Sequence, residues 1–133
     1  MLVSGGFEWC FTKGIEPMGI DLSIIPERHR AAERQTVLGY DRLEIQGRYY
    51  GFWKSLSDTA VVLEEGMYTY NDEGCVKVFC DPYGDKLTWI KAGSFIRLWA
   101  MHNTVCDPGV WDKAVFKFLE ALPDDTRIIL WFH

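Results

Sequence analysis

The chain has 133 residues, of which 48% are hydrophobic and 25% charged, and its formal net charge is −5. This length and composition predict a single globular domain over residues 1–133, and the aromatic content of 15% excludes an intrinsically disordered chain. No stretch approaches the length of a membrane span, and the first residues lack the charged start and the apolar run of a signal peptide. We therefore expect a soluble, cytoplasmic protein with no membrane partner.

The charge pattern argues against nucleic acid as a partner. Acidic and basic residues are spread evenly along the chain, so the basic excess that duplex binding requires is missing. The acidic residues come singly or as pairs beside turn signals, such as Glu64-Glu65 and Asp124-Asp125. Such pairs are typical of solvated loops and do not form the ordered carboxylate rows of a DNA mimic.

The first part of the chain predicts a strand, an irregular segment and a short helix. Phe7, Trp9 and Phe11 alternate with other residues, which is the pattern of a strand with one buried face. Residues 14–25 contain glycines and a proline among scattered apolar residues and predict an irregular connection packed on the core. Pro26 suits the first turn of a helix that continues to about residue 35.

This short helix carries the only basic cluster of the sequence, formed by Arg28, Arg30 and Arg34. Neighbouring glutamates offset the three arginines, which favours a solvated helix face with ion pairs between successive turns. A patch that binds an anion or a partner is the alternative.

The central residues 42–90 predict an antiparallel meander of five to six strands. Residues 42–45 and 48–53 flank Gln46-Gly47, whose glycine suits a tight hairpin. Four further β-rich runs follow, separated by short turns: Thr59–Leu63, Met67–Tyr70, Cys75–Cys80 and Lys86–Ile90. Each connection is short enough for antiparallel neighbours.

The last part of the chain predicts two helices and a strand. Ser94 suits the N-cap of a largely buried helix, and Asp107-Pro108 suits the start of a second helix that Pro123 ends. Apolar residues at helical spacing predict the buried face of the second helix: Trp111, Ala114, Val115, Phe118, Leu119 and Leu122. The opposite, polar face carries Asp112, Lys113, Lys117 and Glu120.

The continuous apolar run Arg127–Phe132 predicts an interior strand buried on both faces. The predicted fold class is therefore α+β: the antiparallel meander, a short N-terminal helix, two C-terminal helices packed on one face, and a final C-terminal strand.

Zinc binding is the sharpest metal hypothesis, because Cys75, Cys80, His102 and Cys106 are residue types that zinc accepts. Positions 75 and 80 differ by five, so on a regular strand they point to opposite faces. The pattern therefore favours buried free thiols at these positions and at Cys10, and we predict no metal and no cofactor. A zinc-stabilised structural module stays as a third alternative.

No catalytic residue is predicted. The histidines His29, His102 and His133 lie in no recognised signature, and the sequence contains no nucleophile elbow, Walker loop or dinucleotide fingerprint. The sequence favours a non-enzymatic role.

The aromatic residues exceed what the predicted core needs. Consecutive rings on strands must place some side chains on each sheet face, and rings left at the surface are typical of binding sites. The candidate binding residues are Tyr49, Trp53, Tyr68, Tyr70 and Trp89. If residues 14–25 covered the second sheet face, these rings would belong to the core instead.

A resemblance to a known family rests on Ile25-Pro26, Leu38-Gly39 and the run Tyr49–Trp53. Their order resembles that of the antirestriction proteins carried by plasmids and phages, over part of the chain. The glycine-rich aromatic segment of that family is replaced here by Thr59–Leu63. We do not assign the chain to the family on these residues.

The sequence as a whole predicts a small protein-binding module of the inhibitor, immunity or antidefence type. The expected partner is another protein, bound through exposed aromatic residues on a mildly acidic surface. The alternative is a small-molecule-binding domain or enzyme whose pocket lies between sheet and helices, lined by Trp53, Trp89 and His102.

Overall fold

A computed structural model describes residues 20–27, 41–102 and 107–133 of the chain. These residues form seven strands and three helices, numbered in chain order. The strands are β1 (Leu22–Pro26), β2 (Leu43–Ile45), β3 (Val61–Val62), β4 (Met67–Asn71), β5 (Gly74–Val78), β6 (Thr88–Lys91) and β7 (Arg127–Phe132). The helices are α1 (Tyr50–Thr59), α2 (Ala92–His102) and α3 (Val110–Ala121).

Five strands form an antiparallel sheet in the order β2-β1-β7-β6-β3. The apolar strand β7 lies at the centre, with all of its residues after Arg127 buried, which confirms the predicted interior strand. Strands β4 and β5 form a separate hairpin. Gly74 begins β5 with a φ of +118°, a left-handed conformation that favours glycine.

The α+β class with helices packed against an antiparallel sheet is confirmed. Alternate residues of the strands point to opposite faces, so Leu130 faces the helices whereas Ile129 faces the hairpin side. The larger core joins one sheet face to the helices and includes Leu22, Ile24, Phe52, Trp53, Leu56, Phe95, Trp99, Phe116, Leu119 and Leu130. The smaller core on the other face consists of Ile25, Leu63, Met67, Leu87, Ile129 and Trp131. Both sheet faces therefore carry buried apolar clusters.

The prediction of a strand over residues 48–53 is wrong, because Tyr50–Thr59 form α1. Aromatic residues favour strands, but Phe52 and Leu56 lie one helical turn apart and share one buried face. Packing of Phe52 against Phe95, at 5.2 Å between ring centroids, decides the conformation. Gln46-Gly47 accordingly does not form a hairpin turn. The sheet instead takes its central strands from both ends of the described chain, so it is not a meander of consecutive strands.

The segment at the start of the described chain also differs from the prediction. Residues Leu22–Pro26 form β1 rather than an irregular connection, because pairing with β2 and β7 satisfies their backbone groups. Pro26 lies opposite Ile128 in β1 and does not begin a helix. The predicted strand at residues 7–11 and the remainder of the predicted helix, with its three arginines, lie outside the described residues.

The later predicted elements are confirmed in position. The β-rich runs correspond to β3, β4, β5 and β6, and the two predicted helices correspond to α2 and α3. Helix α2 begins at Ala92, so Ser94 lies inside it, and α3 begins at Val110 with Gly109 as its N-cap and ends before Pro123. The predictions that Ser94 and Asp107 cap these helices are therefore wrong. Among the described residues, every helix is too short or too polar to cross a lipid bilayer.

Candidate functional site

Two of the five predicted binding residues contact the larger core. Trp53 is fully buried, so its predicted role as an exposed docking ring is wrong, since the helical conformation of α1 turns it inward. Tyr49 is half-buried, and its ring lies 4.9 Å from that of Trp99. Its hydroxyl donates to Asp112 Oδ2 at 2.6 Å. Both rings therefore pack on or within the larger core.

Trp89 lies on the smaller-core side of the sheet and Tyr68 on the hairpin, whereas Tyr49 and Trp53 contact the larger core. Trp89 is half-buried, packs on the smaller core, and carries the guanidinium of Arg127 over its ring at 5.0 Å. Tyr68 is half-buried on β4, where the ammonium of Lys77 lies 5.4 Å from its ring. The side chain of Tyr70 lies outside the described part of the structure.

The residues predicted to line a small-molecule pocket are not brought together. Trp53 is sealed in the larger core and Trp89 faces the opposite side of the sheet. His102, at the end of α2, lies beside α1, with Nε2 3.0 Å from Ser55 Oγ. The contact between Ser55 and His102 joins α1 to α2. Ser55 Oγ also donates to the carbonyl oxygen of Gly51, one turn earlier in α1, at 3.3 Å.

The exposed cysteines correct the prediction of buried thiols. Cys75 and Cys80 are both free and exposed: Cys75 lies on β5, whose side chains mostly face solvent, and Cys80 lies after its end. The described residues contain no group of three metal-ligating side chains that could hold an ion. Cys10 and Cys106 lie outside the described residues.

An apolar surface lies on the outer face of α3, and three of its four residues were predicted to be buried. We define the α3 stripe as Val110, Trp111, Ala114 and Phe118. Ala114 lies four positions from both Val110 and Phe118 and three from Trp111, so the stripe spans an arc of about 100° around the helix. Trp111 and Phe118 are 46% and 47% exposed, and Val110 is 85% exposed. The predicted burial of Trp111, Ala114 and Phe118 is therefore wrong.

The buried face of α3 contains a carboxylate that the sequence analysis placed on the polar face. Asp112 is only 2% exposed and lies on the same helix face as Val115, Phe116 and Leu119. The backbone N–H groups of Gln46 and Gly47 donate to it at 2.8 and 2.9 Å.

Together with the Tyr49 hydroxyl, these N–H groups give the Asp112 carboxylate three donors, which offset the loss of its hydration. Gly47 is required at this point because a side chain there would collide with the Tyr49 ring. Holding Asp112 inward turns the α3 stripe outward.

Trp111 is held in place by the edge of the sheet. Its indole Nε1 donates to the backbone carbonyl of Glu44 in β2, which is an edge strand. The indole thus satisfies one exposed group of that edge. This bond restricts the rotation of the Trp111 side chain.

Lysine side chains border the α3 stripe. Lys113 and Lys117 lie one turn apart and contact Asp107 and Glu120 at 3.1 and 3.3 Å. All four side chains are substantially exposed, so these ion pairs contribute little to stability.

Burial shifts the pKa values of two side chains, Asp81 and His133. Burial raises the pKa of the Asp81 carboxyl to about 6, against the lowering effect of N–H donors from Asp85, Tyr83 and Gly84. The N–H groups of Tyr83 and Asp85 donate to Asp81 Oδ1 at 2.8 and 3.2 Å, which closes the turn before β6. Burial lowers the pKa of His133, whose Nε2 lies 2.9 Å from Ser23 Oγ.

We expect Asp81→Asn to stabilise the protein increasingly as the pH rises from about 4 to about 7. Since the folded-state pKa is about 6 and the ordinary value is 3.8, the folded chain binds this proton more tightly. The stabilisation from that proton is complete below the ordinary value and is lost as the pH rises through about 6.

Asparagine keeps an acceptor oxygen without the charge, so its advantage near neutral pH should reach about 1 kcal/mol after solvent screening. Urea unfolding of both proteins across this pH range measures the difference in free energy. A difference that does not change with pH would contradict the assignment.

Comparisons with known proteins identify no relative: no protein-family model matches the chain, and no curated protein or solved structure matches it.

Proposed function

We propose that this domain is a protein-binding module that docks through the α3 stripe. The observation that carries the proposal is the exposure of nearly half of both Trp111 and Phe118 on one helix face. Apolar side chains grouped in this way are costly in water and often mark interaction sites. Aromatic residues of this kind dominate the binding energy of many interfaces.

The arrangement of the α3 stripe suits docking in two further respects. The bond from Trp111 to Glu44 pre-orients the larger ring, and Ala114 between the two rings leaves room for a close approach. The flanking charges of Lys113 and Lys117 provide the polar rim that interfaces place around an apolar centre.

The proposal keeps the protein-binding function expected from the sequence and changes the residues that perform it. The α3 stripe replaces the predicted set of Tyr49, Trp53, Tyr68, Tyr70 and Trp89. An inhibitor, immunity or antidefence role stays a prediction from the sequence.

Phe118→Ala should weaken partner binding at least tenfold, because truncating a central aromatic residue typically costs 1 kcal/mol or more, roughly a factor of ten. The immobilised domain is incubated with native extract of the cells that produce it, and the retained protein is quantified. Phe79→Ala is the matched control, because Phe79 is 50% exposed but packs over Gly66 beside the hairpin.

The control variant should retain as much protein as the wild type. Equal retention by all three proteins would overturn the proposed docking surface. Urea unfolding of each variant verifies that the fold is intact.

A further inference from the structure

We propose that two copies of this chain associate through the outer edge of the hairpin, with strand β5 of one copy paired antiparallel to β5 of the other. A two-fold axis at Val76 relates the two strands. This association uses a different surface from the α3 stripe and goes beyond the proposed function. It is carried by the open backbone groups of β5 and by the charges at the two ends of the strand.

The outer edge of β5 is a row of backbone hydrogen-bonding groups that faces solvent. Strand β5 pairs with β4 on one side, and no strand in the described part of the chain pairs with it on the other. Its residues 74–77 are exposed, whereas residues 67–69 of β4 are buried or half-buried. The edges of the five-stranded sheet differ, because β3 has only two residues and Trp111 bonds to β2. An uncovered edge of this length accepts a further strand.

Strand β5 lacks the features that protect an open edge. Its register with β4 is unbroken over five residue pairs, so no bulge turns the edge away, and it contains no proline. Its one charged residue is Lys77, whose ammonium lies 5.4 Å from the centre of the Tyr68 ring on β4. The charge therefore lies toward β4 and not across the open edge.

The backbone groups of Cys75 and Lys77 point to the open edge. Backbone groups of successive strand residues point to opposite sides. The carbonyl oxygen of Val78 lies beside the residue that precedes β4, whereas that of Phe79 accepts from the N–H of Leu87 at 2.9 Å. By this alternation, residues 75 and 77 each present one N–H and one carbonyl group to the open edge.

A two-fold axis at Val76 satisfies all of these groups at once. Cys75 of each copy then lies opposite Lys77 of the other, and each of these two pairs exchanges two hydrogen bonds. Val76 faces Val76 of the second copy in a pair without hydrogen bonds, where side chains lie closest. Because Val76 is 37% exposed, the pairing also removes apolar surface from water. The edge is thus complementary to itself, as a two-fold interface requires.

The charges at the ends of β5 favour a second copy in this orientation. Asp72 and Glu73 form the turn before β5, and Lys86 lies beside Cys80, two residues after its end; all four side chains are exposed. Positions 72 and 80 both lie four residues from Val76, so the acidic turn of each copy comes level with Lys86 of the other. A parallel pair would instead place the two acidic turns side by side. The antiparallel pair therefore repeats a contact of opposite charges twice.

Disulfide trapping on the purified full-length chain tests the register. Val76→Cys is compared with Val62→Cys, because Val62 is exposed to the same extent, 38% against 37%. Opposite residues in a pair without hydrogen bonds have Cα atoms about 4.5 Å apart, which a disulfide can span. On mild oxidation, Val76→Cys should become mostly covalent dimer, whereas Val62→Cys and the wild type, which retain the native cysteines, should stay mostly monomeric. Equal amounts of covalent dimer in the three proteins would overturn the pairing.

Sedimentation equilibrium over a wide range of concentration tests the association without a cross-link. The mass of the wild type should rise with concentration from 15.4 kDa toward twice that value. Val76→Glu should raise the dissociation constant about tenfold or more, because two carboxylates then face each other at the axis, whereas Val62→Glu should leave it unchanged. Urea unfolding verifies the fold of both variants. A constant mass of one chain would overturn the inference, as would a dimer that Phe118→Ala weakens and Val76→Glu does not.

Exchange of charges tests the orientation. Asp72→Lys and Lys86→Glu should each weaken their own dimer, because each variant repeats a contact of like charges twice. An equimolar mixture of the two variants should recover association, since both contacts then join opposite charges. Failure of the mixture to associate better than either variant alone would exclude the antiparallel pair.

Discussion

Trp53→Ala is expected to lower the free energy of unfolding by about 4 kcal/mol. The indole has no exposed surface, and its ring centroid lies 5.3 Å from that of Tyr50 and 6.3 Å from that of Phe132. Alanine would remove these contacts and leave a cavity between α1 and β7. A loss of this size is a large fraction of the stability of an ordinary domain, which is about 5–15 kcal/mol. Urea unfolding at neutral pH measures it.

Two control variants show whether the loss of stability comes from the burial of Trp53 or from the removal of any indole ring. Trp111→Ala should cost about 1 kcal/mol, because nearly half of this ring is already exposed. Trp53→Phe should also cost less than Trp53→Ala, since the phenyl ring fills most of the space. It also removes a buried Nε1–H that has no hydrogen-bond partner among the described residues. Similar losses for Trp53→Ala and Trp111→Ala would contradict the placement of Trp53 in the core.

Asp112→Ala is expected to lower the free energy of unfolding by about 3 kcal/mol. The substitution removes the acceptor of three hydrogen bonds and leaves the N–H groups of Gln46 and Gly47 and the Tyr49 hydroxyl without their partner. These donors lose their contact with water on folding. Leaving a donor without an acceptor therefore costs more free energy than its hydrogen bond contributes to stability. Equilibrium urea unfolding measures this loss.

Tyr49→Phe is the matched variant for Asp112, because it removes one donor and keeps the ring against Trp99. Its cost should be about 1 kcal/mol. Asp112→Ala should also weaken docking through the α3 stripe, since Asp112 fixes the rotation of α3. If Asp112→Ala were no less stable than Tyr49→Phe, the carboxylate would not be the main link between α3 and the segment before α1.

The sequence predicted the type of residue expected at a binding site but not which residues lie at the surface. The surplus of aromatic residues predicted a binding surface made of aromatic side chains, but it did not distinguish the buried Trp53 from the exposed Trp111. In α3 the sequence contains two overlapping apolar arcs, one through Trp111, Ala114 and Phe118 and the other through Val115, Phe116 and Leu119. The predicted buried face of this helix did not include Phe116. Counting Phe116 as buried would have favoured the second arc, which is the one that the structure buries.

Local chemistry alone determined several elements. The continuous apolar run of β7 specifies a strand buried on both faces, and Pro108 and Pro123 bound the region of α3, because proline tolerates a helix start and opposes its continuation. Only the tertiary structure decided that Tyr50–Thr59 is a helix and that Asp112 faces inward. Both outcomes depend on residues that are distant in the sequence. The packing of Phe52 on Phe95 and Trp99 outweighs the strand propensity of the aromatic residues in α1. The N–H groups of Gln46 and Gly47 offset the cost of burying the Asp112 carboxylate.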